Sequence, residues 1–431
     1  MRWVTGVLAL TVTVSAEGQQ AQPQQHLEVT LTEAIQRALE VQPLMVGARG
    51  EVRSSGAAMR ASNGAFLPTI TANGSWSRRG GTSLNTSGQP VTTQTTISYS
   101  GGVSASLELF TGFRRLADRR ASAATQDAAD AGLVDTRFRV ILDTRGFYYA
   151  ALATEELVRV AQSQVRRAQQ QLQISVEKLR AGSATRSDSL RSTVDFGNAR
   201  IDLLEAQANL ATAQANLGRQ IGIDQPVRAV PDSILPPLPD TAALRAIVVD
   251  RAPRVEQADA EARAARARVA VSRQNYYPRI TYTAGNSTFS GQPPWDHTLP
   301  YLTGWNVGVG VSWPLFNGFS REAGVVSASV ARDNAAAAAA DTRRAVTAQL
   351  AQQIAALTTA YEKIDIARAN VAAATEDLRV QNERYRVGAA TILDLLTSQA
   401  SLTQAEQNFV QVRFDYLLAR AALEALVGHE L

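Results

Sequence analysis

The 431-residue sequence predicts a mainly α protein with membrane-type β structure, built from two internal repeats. Three observations predict it. Landmarks in the first half recur in the second at a constant spacing. Each half holds a pair of stretches that alternate apolar with polar residues. Each half also holds a helical run too long for a compact domain.

The repetition comes first. Phe110, Gly112, Gly182, Asp188 and Gly222 recur as Phe316, Gly318, Gly388, Asp394 and Gly428, all at one spacing. Pro43 and Pro68 recur as Pro253 and Pro278 at a spacing four residues longer. The register therefore slips between Pro68 and Phe110, where a loop absorbs the change in length. The chain divides into a first repeat over 17–222, a proline-rich linker over 223–240, a second repeat over 241–428 and a short C-terminal end, 429–431.

Ahead of the first repeat stands MRWVTGVLALTVTVSAEGQQAQPQQ. Arg2 supplies a positive start, Trp3–Val14 an apolar run, and Val14-Ser15-Ala16 small residues for cleavage. This reads as a secretory signal peptide, 1–16. The run is short for a bilayer span, although an N-terminal anchor is the alternative. Later stretches offer no long apolar helix, so export without a helical anchor is expected.

Each repeat opens with helix, Leu31–Ala65 and Thr241–Tyr276, interrupted at Pro43 and Pro253. Leu67-Pro68 and Tyr277-Pro278 then lead into β-hairpins over about 69–110 and 279–316. From Ile97 to Leu109 the odd positions are mostly apolar and the even ones small or polar, and Trp305–Trp313 repeats the pattern. Ile70, Ala72, Gly74 and Trp76 mark one partner strand; Ile280, Tyr282 and Ala284 mark the other. Polar loops are expected at Arg79–Thr95 and Ser290–Leu302. Period-two alternation means one wet and one greasy face.

A soluble sandwich would alternate in the same way. Strand length favours lipid, because about ten residues match a tilted bilayer span. So do Trp76, Tyr99, Trp305 and Trp313, which lie near the ends of the greasy face like a membrane-interface girdle. Four strands cannot close a barrel, and open edges are not viable in lipid. Two chains would supply eight strands and three would supply twelve; a water-filled pore favours the larger number.

After each hairpin runs a long helix, about 114–181 and 320–387, then a second, about 185–221 and 391–427. Each long helix extends about 100 Å at ~1.5 Å per residue and needs coiled-coil partners along its length. The run Ala335–Ala340 reads as helix propensity, or as permission for close helix approach.

Composition excludes several classes. Cysteine is absent, which removes disulfides, thiolate chemistry and a lipidated cysteine. His26, His297 and His429 lie far apart, so no metal site is expected, and no cofactor motif is present. Of 43 basic residues only Lys178 and Lys363 are lysine, and the basic residues are dispersed among 39 acids. That argues against nucleic acid as a partner. With no nucleotide-binding loop or nucleophile motif, an enzyme is not expected.

Between the paired helices the chain reads KLRAGSATRSDSL at 178–190 and RYRVGAATILDLL at 384–396. Gly182 and Gly388 suit a helix end with positive φ. Thr185 and Thr391 can cap the next helix, with Asp188 and Asp394 completing a capping box in which Asp replaces Glu or Gln.

Taken with the signal peptide and the PLFNGF junction at Pro314–Phe319, these tips make the chain resemble the TolC family of outer-membrane efflux proteins. The first-repeat junction departs from the pattern, reading Glu108-Leu-Phe-Thr-Gly without the proline. The resemblance implies a homotrimer in the Gram-negative outer membrane, with a twelve-stranded barrel and a twelve-helix tunnel in the periplasm. It implies a passive exit duct for small molecules or proteins, in tripartite efflux or type I secretion. Its partners would be a periplasmic adaptor and an inner-membrane pump of RND or ABC type. The alternative is a structural coiled-coil envelope protein or adhesin.

The resemblance also assigns roles at the periplasmic mouth. Asp188 and Asp394 would form rings of three carboxylates lining the pore, a role compatible with capping. Tyr385 stands where the family has a tyrosine that latches the mouth onto the first-repeat aspartate, here Asp188; plain helix packing is the alternative. Ala390 stands where the family has arginine, and Thr397 where a second aspartate is common, so a weaker latch and a thinner acidic ring are expected. Gly182, Ser183, Ala184, Gly388, Ala389 and Ala390 would be the tips that dock the adaptor, or ordinary turn residues.

Overall fold

A computed structural model describes residues 27–84, 86–231, 235–240, 249–293, 295–296 and 301–431. The signal segment 1–16 and residues 241–248 of the second repeat's opening helix lie outside the described residues. The chain begins with a short strand, β1 (Leu27–Val29), then α1 (Leu31–Val41) and α2 (Pro43–Gly64). Thr30 caps α1 by accepting from the Glu33 N–H. Gln42 is extended, as the residue before proline prefers, and Pro43 starts α2 at the position where a missing N–H costs nothing.

Strands β2 (Thr69–Leu84) and β3 (Pro90–Phe110) follow, then helices α3 (Arg114–Arg180) and α4 (Arg186–Gln220). The second half supplies α5 (Pro253–Arg273), β5 (Arg279–Ser290), β6 (Leu302–Ser312), α6 (Ser320–Arg386) and α7 (Ile392–Val427). Between the halves lies β4 (Val227–Ala229).

The two hairpins join into one antiparallel sheet ordered β2-β3-β5-β6. Its register puts Ile70, Ala105, Ala284 and Val307 in one row. Two residues along, Ala72, Val103, Asn286 and Trp305 form the next. These side chains share a face, and it is exposed in the single chain: Val309 is 63% accessible and Trp305 82%. The opposite face is hydroxyl-rich. Thr71 bonds Ser104, Ser75 bonds Ser100 and Ser77 bonds Ser98, each across β2–β3 at 2.7–2.8 Å.

The first hairpin spans the expected 69–110, but its strands run further toward the turn than expected. Strand pairing runs through most of the expected loop Arg79–Thr95, as far as Leu84 opposite Pro90. The register shifts between Arg79 and Gly81, so one extra residue is absorbed as a bulge and pairing resumes. Threonine and serine keep the pairing going where apolar alternation has stopped.

The connection between the repeats is a packed strap. β4 pairs parallel with β1, three residues each. Tyr148, buried on α3, donates to the carbonyls of Val29 (3.3 Å) and Val230 (2.6 Å) and so fastens both strands. Arg228 bridges Glu28 and Glu155. Further on, Leu235 and Leu238 pack on the α6–α7 core, and Tyr416 donates to the Pro236 carbonyl at 2.9 Å. The main core is shared by both repeats, joining α1, α3, α4 and the β1–β4 pair to Val410 and Phe414 of α7.

The step from strand to helix is the same in both repeats. Gly112 and Phe113, like Gly318 and Phe319, are all left-handed, with φ between 63° and 66°. For a bulky side chain that conformation costs roughly 1–2 kcal/mol. Arg115 and Arg321 brace the step. Arg115 donates to the Leu109 carbonyl and lies over the Phe66 ring; Arg321 donates to Leu315 and lies over Tyr276. Of the run Ala335–Ala340 only Ala339 is buried, which favours helix propensity as its reason.

Candidate functional site

At the end of α3, Ser183 donates its N–H to the Lys178 carbonyl (2.9 Å) and Gly182 to Leu179 (3.0 Å). At the end of α6, Ala389 donates to Arg384 (2.7 Å) and Gly388 to Tyr385 (3.2 Å). Both are Schellman turns, which need a left-handed residue at the glycine. Gly182 and Gly388 have φ of 71° and 80°, and a Cβ at either would meet open space. Backbone conformation, then, and not crowding, requires glycine here.

The next helices start on full capping boxes. Asp188 Oδ2 accepts from the Thr185 N–H (3.0 Å) and hydroxyl (2.8 Å), while Thr185 Oγ1 accepts from the Asp188 N–H (3.2 Å). Asp394 and Thr391 repeat this at 2.9, 2.8 and 3.3 Å. The Thr391 N–H and hydroxyl hold the Asp394 carboxyl below its ordinary range, with Arg384 helping. Asp394 is exposed and Asp188 half-buried, and in each the capping bonds all go to one carboxylate oxygen, Oδ2.

Tyr385 does not reach Asp188 in the single chain. It is buried among Leu378, Ile392, Leu395 and Leu402, and its hydroxyl has no hydrogen-bond partner. The ring packs, which is the alternative the sequence left open. Lys178 does the bridging instead. Its Nζ lies 4.1 Å from the Tyr385 ring centroid and donates to the carbonyls of Tyr385 and Arg386. A cation at the C-terminal end of α6 satisfies orphan carbonyls and complements the helix dipole. Sequence reasoning missed Lys178; its rarity among arginines was the available signal.

The two tips differ inside. In the second, Ala390 and Leu396 join the apolar cluster around Tyr385. In the first, Ser189 stands where Leu395 does in the second. The buried filling there is polar throughout: Gln171 donates to Ser175 (3.1 Å), and Ser175 bonds Ser192 (2.8 Å), whereas the second tip adds its apolar cluster to the equivalent polar pair, Ser398 donating to Asp377 (2.6 Å). Thr397 is exposed and donates back to the Leu393 carbonyl of its own helix. Ser183 donates to the Lys178 carbonyl at 3.1 Å, and Ala184 and Ala389 carry no bulk beyond Cβ.

On the sheet, Trp76 sits directly opposite Tyr99, and Trp305 opposite Asn286. Trp313 lies at the other end, donating its indole N–H to the Tyr276 carbonyl at 3.1 Å. Away from the sheet, α4 leaves Leu190, Val194, Ile201 and Leu204 exposed in one stripe at coiled-coil spacing, and α6 leaves Ile366 and Val380, with Val387 at its C-cap.

A sheet with one greasy and one hydroxyl-rich face, joined to two helices about 100 Å long at ~1.5 Å per residue, defines a subunit of an outer-membrane channel. The chain belongs to the outer membrane efflux protein family, whose pattern it matches over residues 34–222 and 246–429, one stretch in each repeat. Among characterised relatives, the pyoverdine export outer membrane protein OpmQ of Pseudomonas aeruginosa is 27% identical over 352 residues, spanning 77% of this chain and 70% of that protein. Among solved structures, CusC superposes with a TM-score of 0.79 at 19% identity, covering 94% of this chain and 93% of that one. The open-state MtrE outer membrane channel of Neisseria gonorrhoeae superposes at 0.74 with 20% identity, covering 93% and 89%. The protein is an outer-membrane efflux channel component of a Gram-negative bacterium.

Proposed function

We propose that three copies close a twelve-stranded barrel and a helical tunnel, forming the passive exit duct of a tripartite efflux or type I secretion system. The sheet carries this reading. Its apolar face continues across all four strands, and among the described residues β2 and β6 each leave one edge unpaired. An open edge in lipid leaves backbone groups unsatisfied, so further copies must complete the ring. The exposed stripes on α4 and α6 offer a matching seam below the membrane. Burying each Leu or Ile there contributes about 1.5–3 kcal/mol.

The duct would open toward a periplasmic adaptor at the tips around Gly182 and Gly388, with an inner-membrane pump of RND or ABC type supplying energy. The name of the relative OpmQ, a pyoverdine exporter, supports a small molecule as cargo. Asp394 and Asp188, capped yet open on one oxygen, would set a cation-attracting constriction. Planar-bilayer recording of the purified protein tests this. Cation-selective conductance that weakens in Asp394→Asn is expected; a protein that forms no channel, or selectivity that the variant leaves unchanged, counts against it.

A further inference from the structure

We propose that the junction between sheet and long helices holds an anion site, a cationic cavity on the inner wall that receives the carboxylate or phosphate of a passing solute. The proposal rests on the duct reading, which makes that wall the lining of a channel. A cavity of about 310 Å³ opens where α3, β5, β6 and α6 meet, and Arg114, Arg279, Arg321, Gln274, Ser312 and Asn317 are among its lining residues. No acidic residue lines it; the nearby acids Glu108, Asp118 and Glu322 stand outside the lining.

Arg321 is largely committed. It donates to the carbonyls of Pro314 (2.8 Å) and Leu315 (3.0 Å), and its side chain is 12% exposed. Its buried Nε–H meets no acceptor, and the buried Oε1 of Gln274 meets no donor. Hydrogen phosphate, or a carboxylate beside a hydroxyl, answers both needs. Arg114 and Arg279 are held more loosely. Asp118 lies 3.4 Å from Arg114 and Glu108 3.8 Å from Arg279, and neither guanidinium donates a hydrogen bond within the described residues. Both long helices also begin at this cavity, and neither start carries a capping side chain. The first turn of α3 holds Arg114 and Arg115 and no acid. Cations there oppose the helix dipole and leave the leading N–H groups unanswered; a bound anion corrects both.

Register gives the side. Arg279 stands opposite Ser312, and both alternate with Ile280 and Val311 of the apolar face. They therefore share the hydroxyl-rich face, which is the inner wall when the apolar face meets lipid. The anion comes from a solute in the duct and not from a lipid headgroup. Three copies would set three such cavities at one level, and half-exposed arginines hold an anion weakly enough to release it, as conduction requires.

The test titrates inorganic phosphate into the purified protein in non-ionic detergent, followed by phosphorus NMR line broadening. Saturable broadening is expected. Arg114→Gln with Arg279→Gln should weaken it about tenfold, through loss of charge-assisted hydrogen bonds. Arg344→Gln, exposed on α6 and outside the cavity, should leave it unchanged. No saturable broadening, equal affinity in the double variant, or an equal loss in Arg344→Gln overturns the site. If the double variant fails to assemble, Arg279→Gln alone carries the comparison, since its side chain is half-exposed at a strand end. In planar bilayers, phosphate in place of chloride should interrupt the current, and the arginine variant should abolish those interruptions. A channel that conducts but ignores bound phosphate puts the cavity off the inner wall and overturns the proposal. Phosphate binding by a protein that forms no channel overturns the duct reading instead and leaves the anion site standing.

Discussion

Asp394 caps α7 through one oxygen, and its proposed pore role rests on its charge, so substitutions can separate the two. Thr391→Ala removes the cap and should destabilise the second tip by about 1 kcal/mol, read as faster amide exchange at the start of α7. Asp394→Asn keeps a capping oxygen but removes charge, so it should change ion selectivity more than stability. The pH dependence has a fixed sign. Thr391 N–H and hydroxyl bonds lower the carboxyl's folded value below the ordinary 3.8. Its stabilisation is thus complete above that value and lost as pH falls through the lower folded one; tip exchange corrected for intrinsic rates should be flat from about pH 5 to 8 as far as this group is concerned. Lys178→Met removes a bridge between the ends of α3 and α6. Larger or more frequent conductance openings are expected, and unchanged openings would make Lys178 a mere helix cap. The glycines, threonines and aspartates of the tips are legible in sequence because caps are local. Lys178 is not, because its partners are carbonyls more than two hundred positions away.

At the scale of elements, the paired tips share backbone design but differ in filling. Both bury a polar layer at equivalent positions, Gln171–Ser175–Ser192 in the first and Ser398 on Asp377 in the second, but only the second adds the apolar cluster of Leu378, Tyr385, Ile392 and Leu395. Hydrogen bonds net less than apolar burial of equal volume, so the first tip should open more readily. Hydrogen exchange should be faster over 171–192 than over 377–398; equal rates would show that the filling does not set tip mobility. Leu395→Ala should cost about 2–5 kcal/mol and bring the second tip's exchange toward the first's. The long helices are legible from composition, with no proline and few glycines, and the hairpins from alternation. The far half of the first hairpin is not, because outside the apolar band neither face needs to be greasy and alternation carries no signal. The β1–β4 pair is equally hidden: three residues show no period, and the partner lies in a segment whose prolines read as a linker.

For the whole molecule, every unmet demand points outward. Among the described residues the sheet has two open edges, a greasy face and no inner partner; α4 and α6 carry exposed apolar stripes. Ile201→Arg with Leu204→Arg should weaken the association of copies while leaving the shared core around Tyr148 intact, seen as lost heat-modifiable oligomer with retained helix content. The need for more than one chain is legible in sequence, from strand count and helix length alone. The joining of the two hairpins into one sheet through β3 and β5 is not, because that pairing links segments from opposite repeats. The most direct test of the account is the native mass of the mature protein extracted from membranes in mild detergent. Three chains per particle is the predicted result; a stable single chain that stays soluble without detergent would contradict it.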